Sequence, residues 1–233
     1  MAEQLEHPYG TINVELVGSW LHMKPEDDGP FWAVNLMKYV EVAQYDDGRE
    51  GVSGKAADDA YSPVGPLAAV GAAVAYLGDV TSQPLGTPTW DRVGIVRYPT
   101  RASFFAMQER KDFKEAHVHK KAGMDFTIIL SCLPVSHDES ASSEGDLVLL
   151  VEKGSNDAIE SISGLTQVAL FDVEGVIIGD ERRYDRARFV RVSDDETLTS
   201  LINAAESAED THVLLLRSFI DNLIETVTTA TES

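Results

Sequence analysis

Hydrophobic positions fall along this chain in two alternating patterns, compact apolar runs and apolar residues at helical spacing, and the alternation occurs twice. Residues 31–39 (F-W-A-V-N-L-M-K-Y) read as a buried strand. Residues 59–70 carry a short helical pattern interrupted by Pro63 and Pro66, and 73–80 form a second strand run. A third strand is predicted over 89–98, where β-branched residues cluster between Val93 and Val96 and Pro99 ends the run. Phe104, Phe105 and Met107 then open a helical pattern over 102–124, with Gly123 as its stop, and 125–134 is a fourth strand. The order is β-α-β-β-α-β, the split unit of ferredoxin-like folds.

Residues 137–145 (H-D-E-S-A-S-S-E-G) are polar and without periodicity, and predict a linker. Beyond it the order repeats: strand 146–153, short helix 156–163, strands 167–173 and 187–192, helix 194–208 and strand 211–219. The last helix has Ser193 or Asp194 as N-cap and Leu198, Leu201, Ile202 and Ala205 at helical spacing. The expected organisation is an N-terminal extension (1–30), a ferredoxin-like domain (31–136), a linker (137–145) and a degenerate second ferredoxin-like domain (146–233). The fold class is α+β: tandem ferredoxin-like repeats packed as an intramolecular dimeric α+β barrel, which hides open strands. A strand at 10–17 and a helix at 219–228 lie outside the repeats, to cover edges or to carry contacts in a homodimer.

The chain has 39 acidic residues against 19 Lys and Arg, a formal net charge of −20, which opposes binding to nucleic acid or to an anionic membrane. Against that background Arg97, Arg101, Arg110, Lys111, Lys114, Lys120 and Lys121 are crowded together, as a solvated helix face paired to Glu109, Asp112 and Glu115 or as an anion site. The single cysteine, Cys132, lies in an apolar run and excludes an intrachain disulfide, which suits a reducing cytoplasm. No apolar run approaches the length of a membrane span.

Several short segments resemble the DUF1330 family of the dimeric α+β barrel superfamily. They are N-L-M-K-Y at 35–39, D-A-Y at 59–61, Y-L-G at 76–78, W-D-R-V at 90–93, R-Y-P-T-R at 97–101 with Phe105 and Met107 behind it, and H-K-K-A-G-M at 119–124. The resemblance covers less than half the chain. Where such sequences tend to read His-Arg, this one has His119-Lys120, so a bidentate anion fork is not carried over. It implies a ferredoxin-like fold and a small-molecule pocket between the helices and the sheet, bringing Asn35, Trp90 and Tyr98 towards His117 and His119.

Among these residues His119 is the expected acid/base, because imidazole titrates near neutrality and Lys120 and Lys121 favour its neutral form. Tyr98 would polarise a carbonyl, and Asp91 would hold Arg101 or His119 in place. Arg101 would pair with a carboxylate, while Asn35, Tyr61, Trp90, His117 and Lys120 complete the substrate contacts. His117-x-His119 on a helix points two imidazoles apart, so no metal is expected, and no cofactor. Gly48, Gly51 and Gly54 lack phosphate-loop context, and the loop around them reads as a polar lid. Two functions follow: a cofactor-independent isomerase, dehydratase or monooxygenase acting on a small oxygenated or aromatic metabolite, or a non-catalytic binding or scaffold barrel. The enzyme requires His119, Tyr98 and Arg101 to converge on one concave pocket.

Overall fold

A computed structural model of the chain describes residues 7–141, 146–154, 156–206, 208 and 210–231. In chain order the elements are β1 (Thr11–Ile12), α1 (Val14–Leu21), β2 (Phe31–Tyr39), α2 (Gly54–Ala60), α3 (Val64–Ala69), β3 (Ala73–Leu85), β4 (Arg92–Tyr98), α4 (Arg101–Glu109), α5 (Lys111–Gly123) and β5 (Met124–His137). They continue with β6 (Asp146–Glu152), α6 (Asp157–Glu160), β7 (Leu165–Gly179), β8 (Arg186–Val192), α7 (Asp195–Ala205), β9 (His212–Asp221) and α8 (Leu223–Thr231). Residues 142–145 of the expected linker lie outside the described residues.

The strands form one antiparallel sheet in the order β7-β5-β2-β4-β3-β9-β6-β8, and β8 pairs back onto β7, so eight strands close into a barrel. Short β1 adds to the far end of β7. Within residues 31–137 the spatial order is β5-β2-β4-β3, and within 146–221 it is β9-β6-β8-β7. Both place the fourth strand beside the first, then the third and the second. The seams between the halves are β3 with β9 and β5 with β7.

Closure explains the unbroken apolar run of β2. Trp32, Val34 and Leu36 point into the barrel with Trp90, Ile128, Leu149 and Phe189, while Phe31, Ala33 and Met37 face helices α4 and α5 through Phe104, Met107 and Phe113. The second half has its own outer layer, in which Val148, Leu150 and Val190 meet Ile159, Leu201 and Ala205. Leu223 and Val227 of α8 are buried with the barrel interior, and Thr226 accepts the Trp32 indole N–H at 3.1 Å.

Three elements differ from the sequence expectation, each for a local reason. The strand expected at 10–17 is only two residues long, because the Asn13 carboxamide accepts the Leu16 N–H at 3.1 Å and starts helix α1. The helix expected over 102–124 is two. Thr100 caps α4 through the Ser103 N–H at 3.0 Å, Arg110 is extended (φ −67°, ψ 138°), and its guanidinium grips Asp112 at the head of α5. The helix expected at 59–70 likewise splits into α2 and α3 around the extended Tyr61.

The A-G of H-K-K-A-G has a packing explanation. A Cβ on Gly123 would lie 2.5 Å from the Gly54 carbonyl oxygen, and one on Gly54 would lie 2.6 Å from that of Gly123, so α2 and α5 touch backbone to backbone. The loop before α2, expected as a polar lid, is hydrogen-bonded to the end of α5. Its Gln44 N–H donates to the Ala122 carbonyl and Ala43 N–H to Val52, which pins it across the end of α5.

Candidate functional site

Between the outer face of the first half's sheet and helices α2 to α5 lies a cavity of about 340 Å³, within the usual range of small-molecule pockets. Its floor is built by alternate residues of β2 and β4: Ala33, Asn35 and Met37 beside Arg92, Gly94, Val96 and Tyr98. Asn35 pairs with Gly94 in the ladder, and two small residues, Ala33 and Gly94, leave the floor low. Helices α4 and α5 supply Phe104, Met107, Phe113, His117 and Lys120, the turn between α2 and α3 supplies Tyr61, and the segment before β1 supplies His7 and Tyr9.

The polar groups gather on one side. His117 and Lys120 sit one turn apart on α5, on the same face. Lys120 is 8% exposed; its Nζ donates to the Asn35 Oδ1 at 3.4 Å and lies 5.9 Å and 5.7 Å from the ring centres of Tyr9 and Tyr61. Among the described residues no carboxylate lies within ion-pair distance of it. Burial lowers its pKa, with the field of Asp58 acting in the opposite direction. Asp58 is itself committed: it accepts the Tyr39 hydroxyl at 2.6 Å and an Arg92 N–H at 3.0 Å, and Arg92 also holds Asp59 at 2.8 Å and Asp79 at 2.9 Å. Lys55 pairs with Asp79 as well.

The Tyr9 hydroxyl stands between two imidazoles, 2.7 Å from the Nε2 of His117 and 2.9 Å from the Nδ1 of His7. It donates to one ring nitrogen and accepts an N–H from the other. Burial first, and then Lys120, lower His117 to about 3 and His7 to about 4, so both rings are neutral at pH 7. Burial raises the Tyr9, Tyr61 and Tyr98 phenols, which stay protonated.

Of the nine expected site residues, Asn35, Tyr61, Tyr98, His117 and Lys120 line this cavity. The other four are elsewhere. His119 lies on a different face of α5 from His117, with its Nδ1 2.7 Å from the hydroxyl of Tyr45 in the pinned loop. Arg101 is buried in ion pairs, donating to Glu174 at 2.9 Å with Asp28 at 3.6 Å. The exposed Asp91 accepts the Tyr39 backbone N–H at 2.8 Å, and so braces a strand end. Trp90 lies inside the barrel, stacked on Phe126, its indole N–H donating at 3.3 Å to the Nδ1 of His212. His119, Tyr98 and Arg101 therefore do not converge, and the catalytic trio expected from the sequence is not assembled. Tyr98 reaches the cavity, but its hydroxyl donates to the Met107 sulfur at 3.2 Å.

Sequence reasoning missed His7, Tyr9, Asp58 and Arg92. Arg92 stands within the W-D-R-V segment and carried a signal, whereas His7 and Tyr9 belong to the extension and reach the cavity only through the tertiary fold. A second depression of about 560 Å³ is lined by Gly86, Thr87, Arg182 and Asp210; Arg182 is engaged by Asp180 and the Thr87 carbonyl, and Asp210 by Lys153.

Fold and cavity together define the class: a closed eight-stranded antiparallel α+β barrel with a ligand-sized cavity under the helices of its first half. Among the described residues no helix is long and apolar enough to cross a membrane. No family model matches the chain, and no curated protein matches it. Among solved structures, the methylated RPA0582 protein of Rhodopseudomonas palustris is 28% identical, covering 55% of this chain and 97% of its own, at a TM-score of 0.47. A siroheme decarboxylase, NirDL, in complex with an iron-uroporphyrin III analogue is 9% identical over 96% of this chain and 82% of its own (TM-score 0.44). Chlorite dismutase from Candidatus Nitrospira defluvii is 11% identical over 86% and 95% (TM-score 0.44). None of the three reaches a TM-score of 0.5, and the function is argued from this chain's own residues.

Proposed function

We propose that this protein holds a small, largely apolar or aromatic oxygenated molecule in the first-half cavity, with Lys120, Asn35 and His117 addressing its oxygen. The observation that carries this reading is the Lys120 amine, nine-tenths buried among aromatic faces with no carboxylate partner among the described residues. A buried polar group lacking a strong partner is costly, and a ligand oxygen beside it would recover part of that cost. The separation of His119, Arg101 and Asp91 from the cavity favours a binding barrel over the acid/base mechanism those residues would have formed.

The same proposal takes residues 31–136 and 146–233 as two fused ferredoxin-like units, the first DUF1330-like, with a single ligand site. The matching strand orders of the two halves support it. The experiment is a melting-temperature screen against small phenols, lactones, ketones and carboxylates, run on the wild type and on Ala33→Leu, whose extra carbons enter the cavity. Ligand binding raises Tm by mass action. A compound that stabilises only the wild type supports the site; a compound that stabilises both equally places binding elsewhere.

A further inference from the structure

We propose that Lys120 is a carbonyl-capturing amine, and that the ligand class of the cavity is an aldehyde or ketone held as a reversible imine. This deepens the proposed function and rests on it. Three observations carry it. The Lys120 Nζ lies at the cavity wall with one weak hydrogen-bond acceptor among the described residues, the Asn35 carboxamide at 3.4 Å. Among the described residues the carboxylates beside the cavity are taken by other partners: Asp58 by Tyr39 and Arg92, Asp59 by Arg92, Asp79 by Arg92 and Lys55. Asp58 reaches the amine as a field and not as an ion pair, working against the burial that disfavours the charged form. The third observation is the hydrogen-bonded row of His117, Tyr9 and His7, which begins one helical turn from Lys120 and leads away from it.

Imine formation needs those three things together. The free amine's lone pair attacks the carbonyl carbon, the C–N bond forms, and the C=O π pair moves to oxygen. One proton leaves nitrogen and one reaches oxygen, giving the carbinolamine. The C–O bond then breaks, oxygen takes a second proton and departs as water, and the nitrogen lone pair forms C=N as nitrogen gives up its second proton. The sum is amine plus carbonyl to imine plus water, with nothing oxidised or reduced. The protons have to be moved at the cavity wall. The neutral His117 and the Tyr9 hydroxyl can pass a proton along their 2.7 Å bond, with His7 at the far end as the second imidazole. Asn35, which accepts from the amine, offers its carboxamide N–H groups to the carbonyl oxygen of the entering ligand.

The test uses the full chain, 4-hydroxybenzaldehyde as probe, and sodium cyanoborohydride, which delivers hydride to an imine carbon and makes the adduct permanent. Peptide mapping by mass spectrometry then compares Lys120 with exposed Lys111. The expected result is a 4-hydroxybenzyl group on Lys120 formed at least about tenfold faster than on Lys111, since an aldehyde seated in the cavity is held beside the Lys120 amine and reacts at a raised effective concentration. The carbonyl-free analogue 4-hydroxybenzyl alcohol, read by its effect on Tm, separates the two levels of the proposal. If the alcohol stabilises the protein and Lys120 is modified no faster than Lys111, imine capture is wrong and the binding cavity stands. If the alcohol does not bind and Lys120 is not modified, both are wrong. Lys120→Arg is expected to lose the fast adduct. The wild-type peptide map decides the matter by itself if that variant does not fold.

Discussion

The two halves of the barrel share a strand order and differ on the faces they turn to their helices. The first half presents Ala33, Asn35 and Gly94, leaving a hollow that His117 and Lys120 overlook. The second presents Val148, Leu150, Val190 and Arg188, and the three apolar ones pack against Ile159, Leu201 and Ala205. Arg188 is 1% exposed, donates to Glu152 at 3.1 Å and to Gln167 at 2.9 Å, and spans to Glu160 at 3.4 Å. One scaffold thus carries two solutions to a buried cation. The second half surrounds it with carboxylates and closes up; the first leaves it beside an amide and aromatic rings in an open cavity. Side-chain volume at a few floor positions, more than topology, distinguishes the two outer faces.

The largest expected effect lies in the filled half. Arg188→Met leaves Glu152 buried without its partner and is expected to cost about 3–5 kcal/mol in denaturant unfolding, much of it recovered in the double variant Arg188→Met, Glu152→Leu. No such coupling is expected between Lys120 and any acid of the first half. A recovery absent from the second half would mean that its ion pair is not the counterpart of the open cavity.

Next in size is acid sensitivity, which belongs to the open half. His117 is held to about 3 in the folded state against about 6.5 when unfolded. The unfolded chain takes the proton first, so stability is full above pH 6.5 and is lost as pH falls toward 3. Between pH 6.5 and 5 the loss from this one group is roughly 2 kcal/mol. Urea midpoints across that interval should fall less steeply for His117→Asn than for the wild type, and parallel slopes would place the acid lability elsewhere, for instance at His212 in the barrel interior.

Smaller still is the effect of closing the hollow. Ala33→Leu should weaken 4-hydroxybenzyl alcohol binding at least about tenfold, near 1.4 kcal/mol, while changing stability by less than about 1.5 kcal/mol, because existing space accepts the added carbons. The opposite change in the second half, Val148→Ala, should destabilise by about 1–2 kcal/mol without creating binding. The smallest effect is a gain: Lys120→Met is expected to raise stability by about 1 kcal/mol, since an apolar side chain replaces a buried amine that lacks a charged partner. A loss in calorimetric Tm would show that the amine is better satisfied in the empty protein than its 3.4 Å contact implies.

These contrasts also mark what could be read from the chain before folding. Strand positions were legible because a barrel strand buried on both faces must be apolar throughout, as in β2 and β6. Helix breaks were not, since Arg110 and Asp112 look like ordinary helix residues until they pair with each other. Asn35 is legible as a polar group among apolar neighbours, and Lys120 only as part of the H-K-K-A-G segment. The adjacent Lys120 and Lys121 favour His119 over His117 in the sequence, but the helix phase that turns one imidazole to the cavity and the other to Tyr45 depends on where α5 begins. Tyr9 was hidden for a different reason: its backbone carbonyl accepts the Thr127 N–H at 3.0 Å, a contact 118 positions away that no periodicity encodes.

Closure of the barrel within one chain has an evolutionary corollary. In a barrel made from two identical chains, any substitution is written twice and both faces must tolerate it. Here β3 with β9 and β5 with β7 join unlike halves, so a mutation at Ala33 or Arg188 is felt once. Each face can therefore change on its own, without the same substitution appearing in its neighbour.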